Sequence, residues 1–150
     1  MTMPQEGTEA QFLLVAEDNP ADVGLIRLAL ERHGIDSPLH VVQDGEAAVN
    51  FIESVQANTG AYCPALAILD LNLPRLTGDE ILRRMRACER WRNVPVIVVS
   101  SSLAAKDRTG ALSLGASAYF TKPSELDQFL SLGTLVREVL GSVGHAFSRK

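Results

Sequence analysis

The stretch LAILDLNLP occupies residues 66–74, and its opening apolar run stops at Asp70. Short continuous apolar runs bounded by polar residues and prolines are typical of strands that are buried on both faces of a parallel sheet. Three other runs have the same character and also end at polar residues. They are residues 12–16 before Glu17 and Asp18, residues 96–99 before Ser100, and the short run around Tyr119 before Lys122 and Pro123.

Amphipathic segments with the apolar spacing of helices separate these runs. The first predicted helix begins after Asn19, a favourable N-cap, has Pro20 in its first turn and stops at Gly34. Further elements are predicted as a strand at 39–42 and helices at 46–55, after Gly78, at 104–114, and from a Ser124 cap to about residue 140. Strands that alternate with helices predict an α/β fold, a doubly wound parallel sheet of five strands with five helices.

Length and composition limit the possible classes of protein. The 150 residues suit a single domain, predicted at 12–141 between a flexible acidic tail at 1–11 and a C-terminal tail at 142–150. A net charge of −4 disfavours a nucleic-acid-binding surface, which would carry a basic excess. Two cysteines are too few for a disulfide framework, and neither a signal peptide nor a membrane-spanning run is present. We therefore expect a cytoplasmic protein.

The polar residues that follow the strands predict a functional site. Because the carboxyl ends of parallel strands meet at one edge of the sheet, we expect Glu17, Asp18 and Asp70 to converge there. Three carboxylates held together repel one another, and magnesium, which prefers hard oxygen ligands, would relieve that repulsion. Asp70 could then accept a phosphoryl group, with Lys122 and Ser100 contacting its oxygens. Taken singly, these residues have ordinary alternatives as a helix-capping pair, a turn aspartate or a solvated lysine.

The motifs, taken in order along the chain, resemble the receiver domain of response regulators in two-component signalling. They are EDN at 17–19, LDLNLP at 69–74 with Gly78 beyond it, Ser100, and YFTKP at 119–123. The resemblance covers residues 12 to about 141. It implies the flavodoxin-like, receiver type of fold and a phosphoacceptor signalling protein rather than an enzyme.

The resemblance also implies roles at the acidic end of the site. Asp70 would accept a phosphoryl group from the phosphohistidine of a histidine kinase. Asp18, Asp70 and the backbone carbonyl of Asn72 would hold Mg²⁺, or Mn²⁺ in its place. Glu17 would act on the metal mainly through water.

On the other side of the site, the resemblance implies a phosphoryl contact and a switch. Ser100 and Lys122 would contact the phosphoryl group, and the Lys122–Pro123 peptide bond would be cis. Tyr119 would be the switch aromatic, turning inward as Ser100 moves towards the phosphate. The alternative for Tyr119 is an ordinary half-buried strand tyrosine. Phosphorylation would shift a two-state surface formed by the fourth helix, fifth strand and fifth helix.

A narrower resemblance concerns the partner. The stretch EDNPADV at 17–23, LPR at 73–75 and the long loop before the third strand are similar to single-domain regulators paired with bacterial phytochrome histidine kinases. A phytochrome is therefore a candidate partner, although any histidine kinase would serve.

The predicted fifth helix is apolar over more of its circumference than a core contact requires. One stripe comprises Leu126, Phe129, Leu130, Gly133, Val136 and Leu140, and a second comprises Leu132, Leu135, Val139 and Val143. An exposed apolar face usually marks an interface, so we expect a homodimer through this helix. The alternative is that residues 141–150 fold back over the second stripe.

Two other groups of residues receive no role in the site. The basic face of the third helix is expected to be solvated; it comprises Arg83, Arg84, Arg86 and Arg90. The histidines have neither metal-ligand spacing nor an expected partner; they are His33, His40 and His145.

Three competing function classes fit the sequence less well. A flavodoxin-like redox protein needs a Gly/Ser/Thr-rich phosphate loop after the first strand, where Glu17 and Asp18 would instead repel a phosphate. A magnesium-dependent phosphohydrolase needs a substrate-enclosing cap, and no insertion is long enough to form one. A pseudo-receiver would bind partners without phosphorylation, and the complete set of chemical residues disfavours it.

Overall fold

A parallel sheet of five strands, ordered β2-β1-β3-β4-β5, forms the centre of the computed structural model. The structure describes residues 12–147, and side chains as far as residue 142. The elements are β1 (Leu13–Ala16), α1 (Pro20–Arg32), β2 (Leu39–Val42), α2 (Gly45–Ala57), β3 (Leu66–Asp70), α3 (Gly78–Ala87), a 3₁₀ turn (Glu89–Trp91), β4 (Val96–Ser100), α4 (Ala105–Ser113), β5 (Ala118–Thr121), α5 (Leu126–Phe129) and α6 (Leu132–Phe147). The predicted flexible tail at 1–11 lies outside the described residues.

Helices cover both faces of the sheet. Because successive strand residues point to opposite faces, each strand contributes to two core layers. Leu14 and Ala16 belong to the core layer under α2 and α3, whereas Leu13 and Val15 belong to the layer under α1 and α6. All the residues of β1, β3 and β4 are buried, as the continuous apolar runs predict. The predicted doubly wound α/β class is confirmed.

The starts of three helices are fixed by side-chain caps. The Asn19 side chain accepts a hydrogen bond from the Ala21 N–H at 2.9 Å, which confirms its predicted role at the start of α1. Asp44 caps α2 in the same way, and Thr77 with Glu80 forms a reciprocal capping box at α3. Each cap satisfies backbone donors at the end of the sheet where the site lies.

The predicted fifth helix differs from the structure at its start and in its middle. Ser124 does not cap it, since α5 begins after Glu125 without a side-chain cap. The helix is also interrupted before α6. The N–H and the Oγ of Ser131 both donate to the Gln128 carbonyl, which occupies the acceptor that an unbroken α-helix would offer to the Leu132 N–H.

Helix α6 continues to Phe147, past the predicted end of the helix near residue 140. Residues 141–147 therefore extend the helix, and this does not favour the alternative in which they fold back over the second apolar stripe. Part of that stripe is already used within the domain: Leu132 is fully buried, and Leu135 and Val139 are half-buried against the core. Val143 lies outside the described side chains.

Two arginines of the third helix region are not solvated as expected. Arg86 donates to the carbonyls of Trp91, Arg92, Val94 and Gly115 at 3.3, 3.1, 2.9 and 2.8 Å. Arg90 donates to the carbonyl of Asn58 at 2.8 Å and also to those of Val55 and Ala61. The expectation was wrong because a guanidinium has several donors in a planar fork, which lets each of these side chains bind several carbonyls of the neighbouring loops at once.

Two histidines have partners, contrary to expectation. The Nδ1 of His33 lies 3.0 Å from the Ala29 carbonyl and must donate to it, and Nε2 shares a hydrogen bond of 2.9 Å with the Thr134 hydroxyl. This pair of bonds joins α1 to α6. His40 stacks on Phe51 with a 4.2 Å separation of ring centroids. His145 lies outside the described side chains.

Candidate functional site

The register of the sheet brings the predicted carboxylates together. Ala16 of β1 pairs with Leu69 of β3, so the residues that follow them, Glu17 and Asp70, lie side by side. Oxygens of Glu17, Asp18 and Asp70 lie within 4.8 Å of one another. Glu17 and Asp70 are only 1% and 5% exposed, whereas Asp18 is exposed. An all-oxygen donor set of three carboxylates fits a hard divalent cation such as Mg²⁺ or Mn²⁺.

Lys122 binds this carboxylate cluster from the end of β5. Its Nζ lies 3.0 Å from Glu17 Oε1, 3.2 Å from Asp70 Oδ2 and 2.8 Å from Asp22 Oδ2. The ammonium is well shielded, since only 14% of the Lys122 side chain is exposed. The strand ends therefore place a cation beside the carboxylate that is the candidate nucleophile.

The pKa values of two site residues are shifted by their surroundings. Burial raises the pKa of the Glu17 carboxyl to about 7, although its hydrogen bond with Lys122 acts in the opposite direction. Burial alone would lower the pKa of the Lys122 ammonium, but its hydrogen bonds with Asp22 and Glu17 outweigh burial and raise it. Lys122 is therefore a permanent positive charge at neutral pH.

The loop after Asp70 is held close to the strand end. The Asn72 N–H donates to Asp70 Oδ1 at 3.0 Å, and the Gly78 N–H donates to the Leu71 carbonyl at 3.0 Å. A side chain at Gly78 would not fit, because its Cβ would lie 2.7 Å from the Asp70 carbonyl oxygen. The close approach of α3 to β3 therefore explains why glycine stands here and fixes the loop that carries Asn72.

Ser100 and Tyr119 are linked through Ser102. Ser100 is fully buried, and its Oγ accepts from the Ser102 N–H at 3.0 Å. The Tyr119 hydroxyl donates to the Ser102 carbonyl at 3.1 Å, and Tyr119 is 7% exposed. The Ser102 hydroxyl in turn donates to Asp107 of α4 at 2.6 Å. The two predicted switch residues thus bind the same short loop.

Comparison with known proteins agrees with this site. Residues 13–132 match the family described as the response regulator receiver domain. The chain belongs to that family. The match covers most of the described residues and includes every strand of the sheet and the whole of the carboxylate cluster.

Individual relatives of this receiver domain include regulators connected with phytochromes. The response regulator Rcp1 of Synechocystis is 29% identical over 130 residues, which are 87% of this chain and 88% of the relative. The Mn²⁺-bound crystal structure of Rcp1 superposes with a TM-score of 0.75 and 28% identity over 85% of this chain and 92% of that one. The phosphorylated cyanobacterial phytochrome response regulator RcpA gives a TM-score of 0.77 and 29% identity over 89% and 95%.

A further relative comes from Methanothrix harundinacea. The probable methanogenesis regulatory protein FilR2 of Methanothrix harundinacea is 33% identical over 118 residues, which are 79% of this chain and 76% of the relative. Membership of the receiver family explains the five-stranded parallel sheet. It also excludes two of the competing function classes, the flavodoxin-like redox protein and the capped phosphohydrolase.

One residue of the site was missed by sequence reasoning and one prediction about the site was wrong. Asp22 binds Lys122, yet nothing in the strand-end pattern pointed to it; its position four residues after Asp18, in the first turn of α1, was the available signal. The Lys122–Pro123 bond is not cis, because the described residues contain no cis peptide bond. Trans is the more favourable isomer of an X-Pro bond, and Lys122 reaches the carboxylates with it.

The described residues contain no helix with both the length and the apolar character needed to cross a membrane.

Proposed function

We propose that this receiver domain is phosphorylated on Asp70 by a histidine kinase in a reaction that requires Mg²⁺ or Mn²⁺. The observation that carries the proposal is the position of the Asp70 carboxylate, which is 5% exposed, between two further carboxylates and the Lys122 ammonium. A buried nucleophile with both a cation site and a fixed positive charge beside it suits transfer of an anionic group.

The transfer forms one bond and breaks another. A carboxylate oxygen of Asp70 attacks the phosphorus of the kinase phosphohistidine, and the phosphorus–nitrogen bond breaks. The electron pair stays on the imidazole nitrogen, which takes a proton from solvent and leaves as neutral histidine. Asp70 then carries an acyl phosphate.

A divalent cation held by Glu17, Asp18, Asp70 and the Asn72 carbonyl would supply charge neutralisation to the phosphoryl oxygens. Lys122 would supply a second positive charge, because its Nζ lies 3.2 Å from Asp70 Oδ2 and can donate to an oxygen of a phosphoryl group held there. Support for the cation comes from the oxygen donor set and from the Mn²⁺-bound structure of Rcp1.

We propose that the linked residues Ser100, Ser102 and Tyr119 form the switch. A phosphoryl group on Asp70 offers Ser100 an acceptor, and the Ser100 hydroxyl that turns towards it gives up its bond from the Ser102 N–H. The Ser102 loop then shifts, and with it the Tyr119 hydroxyl and Asp107 of α4, which both bind that loop. The change is thereby passed to the surface formed by α4, β5 and α6.

The proposed partner is a histidine kinase, and the phytochrome association of RcpA supports a bacterial phytochrome as the specific donor. Such a reaction would take place in the cytoplasm, where we predict the protein to reside. In this role the chain is a phosphoacceptor that takes part in its own phosphorylation and dephosphorylation, rather than an enzyme for an external substrate.

We also propose a homodimer through α5 and α6. Leu126 is 49% exposed, and the half-buried Leu135 and Val139 border a surface cavity with Ala118 of the edge strand β5. Sedimentation should give a dimer at micromolar concentration, and Leu126→Glu, at the exposed residue, should convert it to a monomer while leaving the far-UV circular dichroism unchanged. A monomer at every concentration would contradict this proposal without affecting the phosphorylation proposal.

Intact-mass measurement tests the proposed chemistry. The protein is incubated with acetyl phosphate, with and without Mg²⁺, beside Asp70→Asn and the matched control Asp127→Asn, which changes an exposed aspartate in the first turn of α5. We expect one phosphoryl adduct that requires Mg²⁺, persists in Asp127→Asn and disappears in Asp70→Asn. A folded protein that gives no adduct would favour the pseudo-receiver.

A further inference from the structure

We propose that Asp22 is a positioning residue that holds Lys122 and keeps the ammonium from competing with the divalent cation. The inference rests on the proposed function, because it concerns the same site. Its basis is the ion pair from Asp22 Oδ2 to Lys122 Nζ at 2.8 Å, the shortest of the three contacts of that ammonium with carboxylates. The pair is shielded, with side-chain exposures of 21% for Asp22 and 14% for Lys122.

Asp22 differs from the other two carboxylates that bind the Lys122 ammonium. A lysine ammonium has three N–H donors, and here they meet three carboxylates. Two of these, Glu17 and Asp70, also belong to the oxygen cluster that fits a cation, whereas Asp22 does not. When a cation takes up Glu17 and Asp70, Asp22 is the partner that remains for Lys122.

A divalent cation and the Lys122 ammonium carry charge of the same sign, so they compete for the same carboxylates. A divalent cation and the Lys122 ammonium are both drawn to the oxygens of Glu17 and Asp70, and they repel each other there. Asp22 offers the ammonium a carboxylate of its own on the α1 side of the site. Without it, Lys122 would bind the metal-binding carboxylates more strongly and would oppose cation entry.

The position of Asp22 is set by the start of α1. The Asn19 cap and Pro20 fix the first turn of the helix, and Asp22 lies in that turn, where the positive end of the helix favours a carboxylate. An ordinary role in complementing the helix dipole would not depend on Lys122. The two roles can therefore be separated by removing Lys122.

A double-mutant cycle measured with Mn²⁺ alone tests the inference. We expect Asp22→Asn to lower Mn²⁺ affinity about tenfold, the low end for residues that support metal ligands indirectly. In the Lys122→Met background the same change should have less than a third of that effect, since no ammonium remains to be held. Asp22→Glu should recover most of the affinity, because it keeps the charge.

The matched control is Asp127→Asn, which removes the same charge from the first turn of another helix and should leave Mn²⁺ affinity nearly unchanged. An equal fold-loss for Asp22→Asn with and without Lys122 would show a through-space charge effect and overturn the proposal, as would no loss at all. No phosphodonor is present, so these outcomes are independent of whether Asp70 is phosphorylated.

Discussion

The buried charges of the site depend on one another. Glu17 and Asp70 lose their contact with water, and the Lys122 ammonium, which also binds Asp22, offsets part of their negative charge. Isolated buried carboxylates would be far less favourable than this network. When no metal is bound, this network lowers the free-energy cost of burying the carboxylates. It also sets the charge that an incoming cation and phosphoryl group encounter.

At the residue scale, we predict that Tyr119→Phe separates the switch from the chemistry. Losing the hydroxyl removes the bond to the Ser102 carbonyl, so the free energy of unfolding should fall by about 1 kcal/mol. The rate of labelling by acetyl phosphate should be unchanged, because Tyr119 does not bind the carboxylate cluster. Urea denaturation and time-resolved intact mass measure the two quantities. A large fall in the labelling rate would mean that the hydroxyl acts in the chemistry.

The pattern of strand ends was enough to identify the carboxylates and Lys122, because buried parallel strands have a strong sequence signal and their ends must converge. Asp22 was not identified because it lies within a helix, where a lone aspartate in the first turn looks like a simple dipole partner. Its role depends on the first turn of α1 lying beside Lys122 at the end of β5, and spacing along the chain does not encode that contact.

At the scale of elements, α6 packs against α1 at a glycine. A Cβ added at Gly133 would lie 2.2 Å from His33 Nδ1 and 2.4 Å from the Ala29 carbonyl oxygen, and the second contact is with backbone that cannot move away alone. We predict that Gly133→Ala lowers the free energy of unfolding by about 2 kcal/mol, in the range of overpacked cores. Denaturant titration measures the change.

Two other glycines provide matched controls. A Cβ added at Gly24 of α1 or at Gly110 of α4 would have nothing within 4 Å, so alanine meets no obstacle at either site. Each substitution should raise the free energy of unfolding by about 0.5–1 kcal/mol through better helix propensity. If Gly133→Ala were also stabilising, the close contact between α1 and α6 would not exist in solution.

Sequence reasoning missed two features of the elements, the break in the predicted fifth helix and the contacts of two arginines. The break between α5 and α6 depends on Ser131 bonding to the Gln128 carbonyl, a choice between two acceptable local geometries that the apolar spacing does not reveal. Arg86 and Arg90 also looked solvated because arginines on a polar helix face usually are. Both instead bind loop carbonyls, whose positions depend on how the loops fold and are not encoded in the helix pattern.

At the scale of the whole molecule, cation binding should stabilise the fold. A ligand that binds only the native state adds about 2.7 kcal/mol to the free energy of unfolding at 100 times its dissociation constant. We predict a rise of this size with Mg²⁺, measured by denaturation at several concentrations. Asp18→Asn should reduce the rise, because it removes an exposed member of the oxygen cluster without disturbing the core. An equal rise in both proteins would place the cation elsewhere.

The most direct test of phosphorylation at Asp70 is to locate the phosphoryl group. An acyl phosphate is reduced by borohydride to an alcohol, which converts a phosphorylated aspartate into homoserine and marks its position permanently. After incubation with a phosphodonor and Mg²⁺, reduction and peptide mass analysis should find homoserine at position 70 and aspartate at positions 18 and 22. Homoserine at another position, or at none in a protein that carries a phosphoryl adduct, would contradict phosphorylation of Asp70.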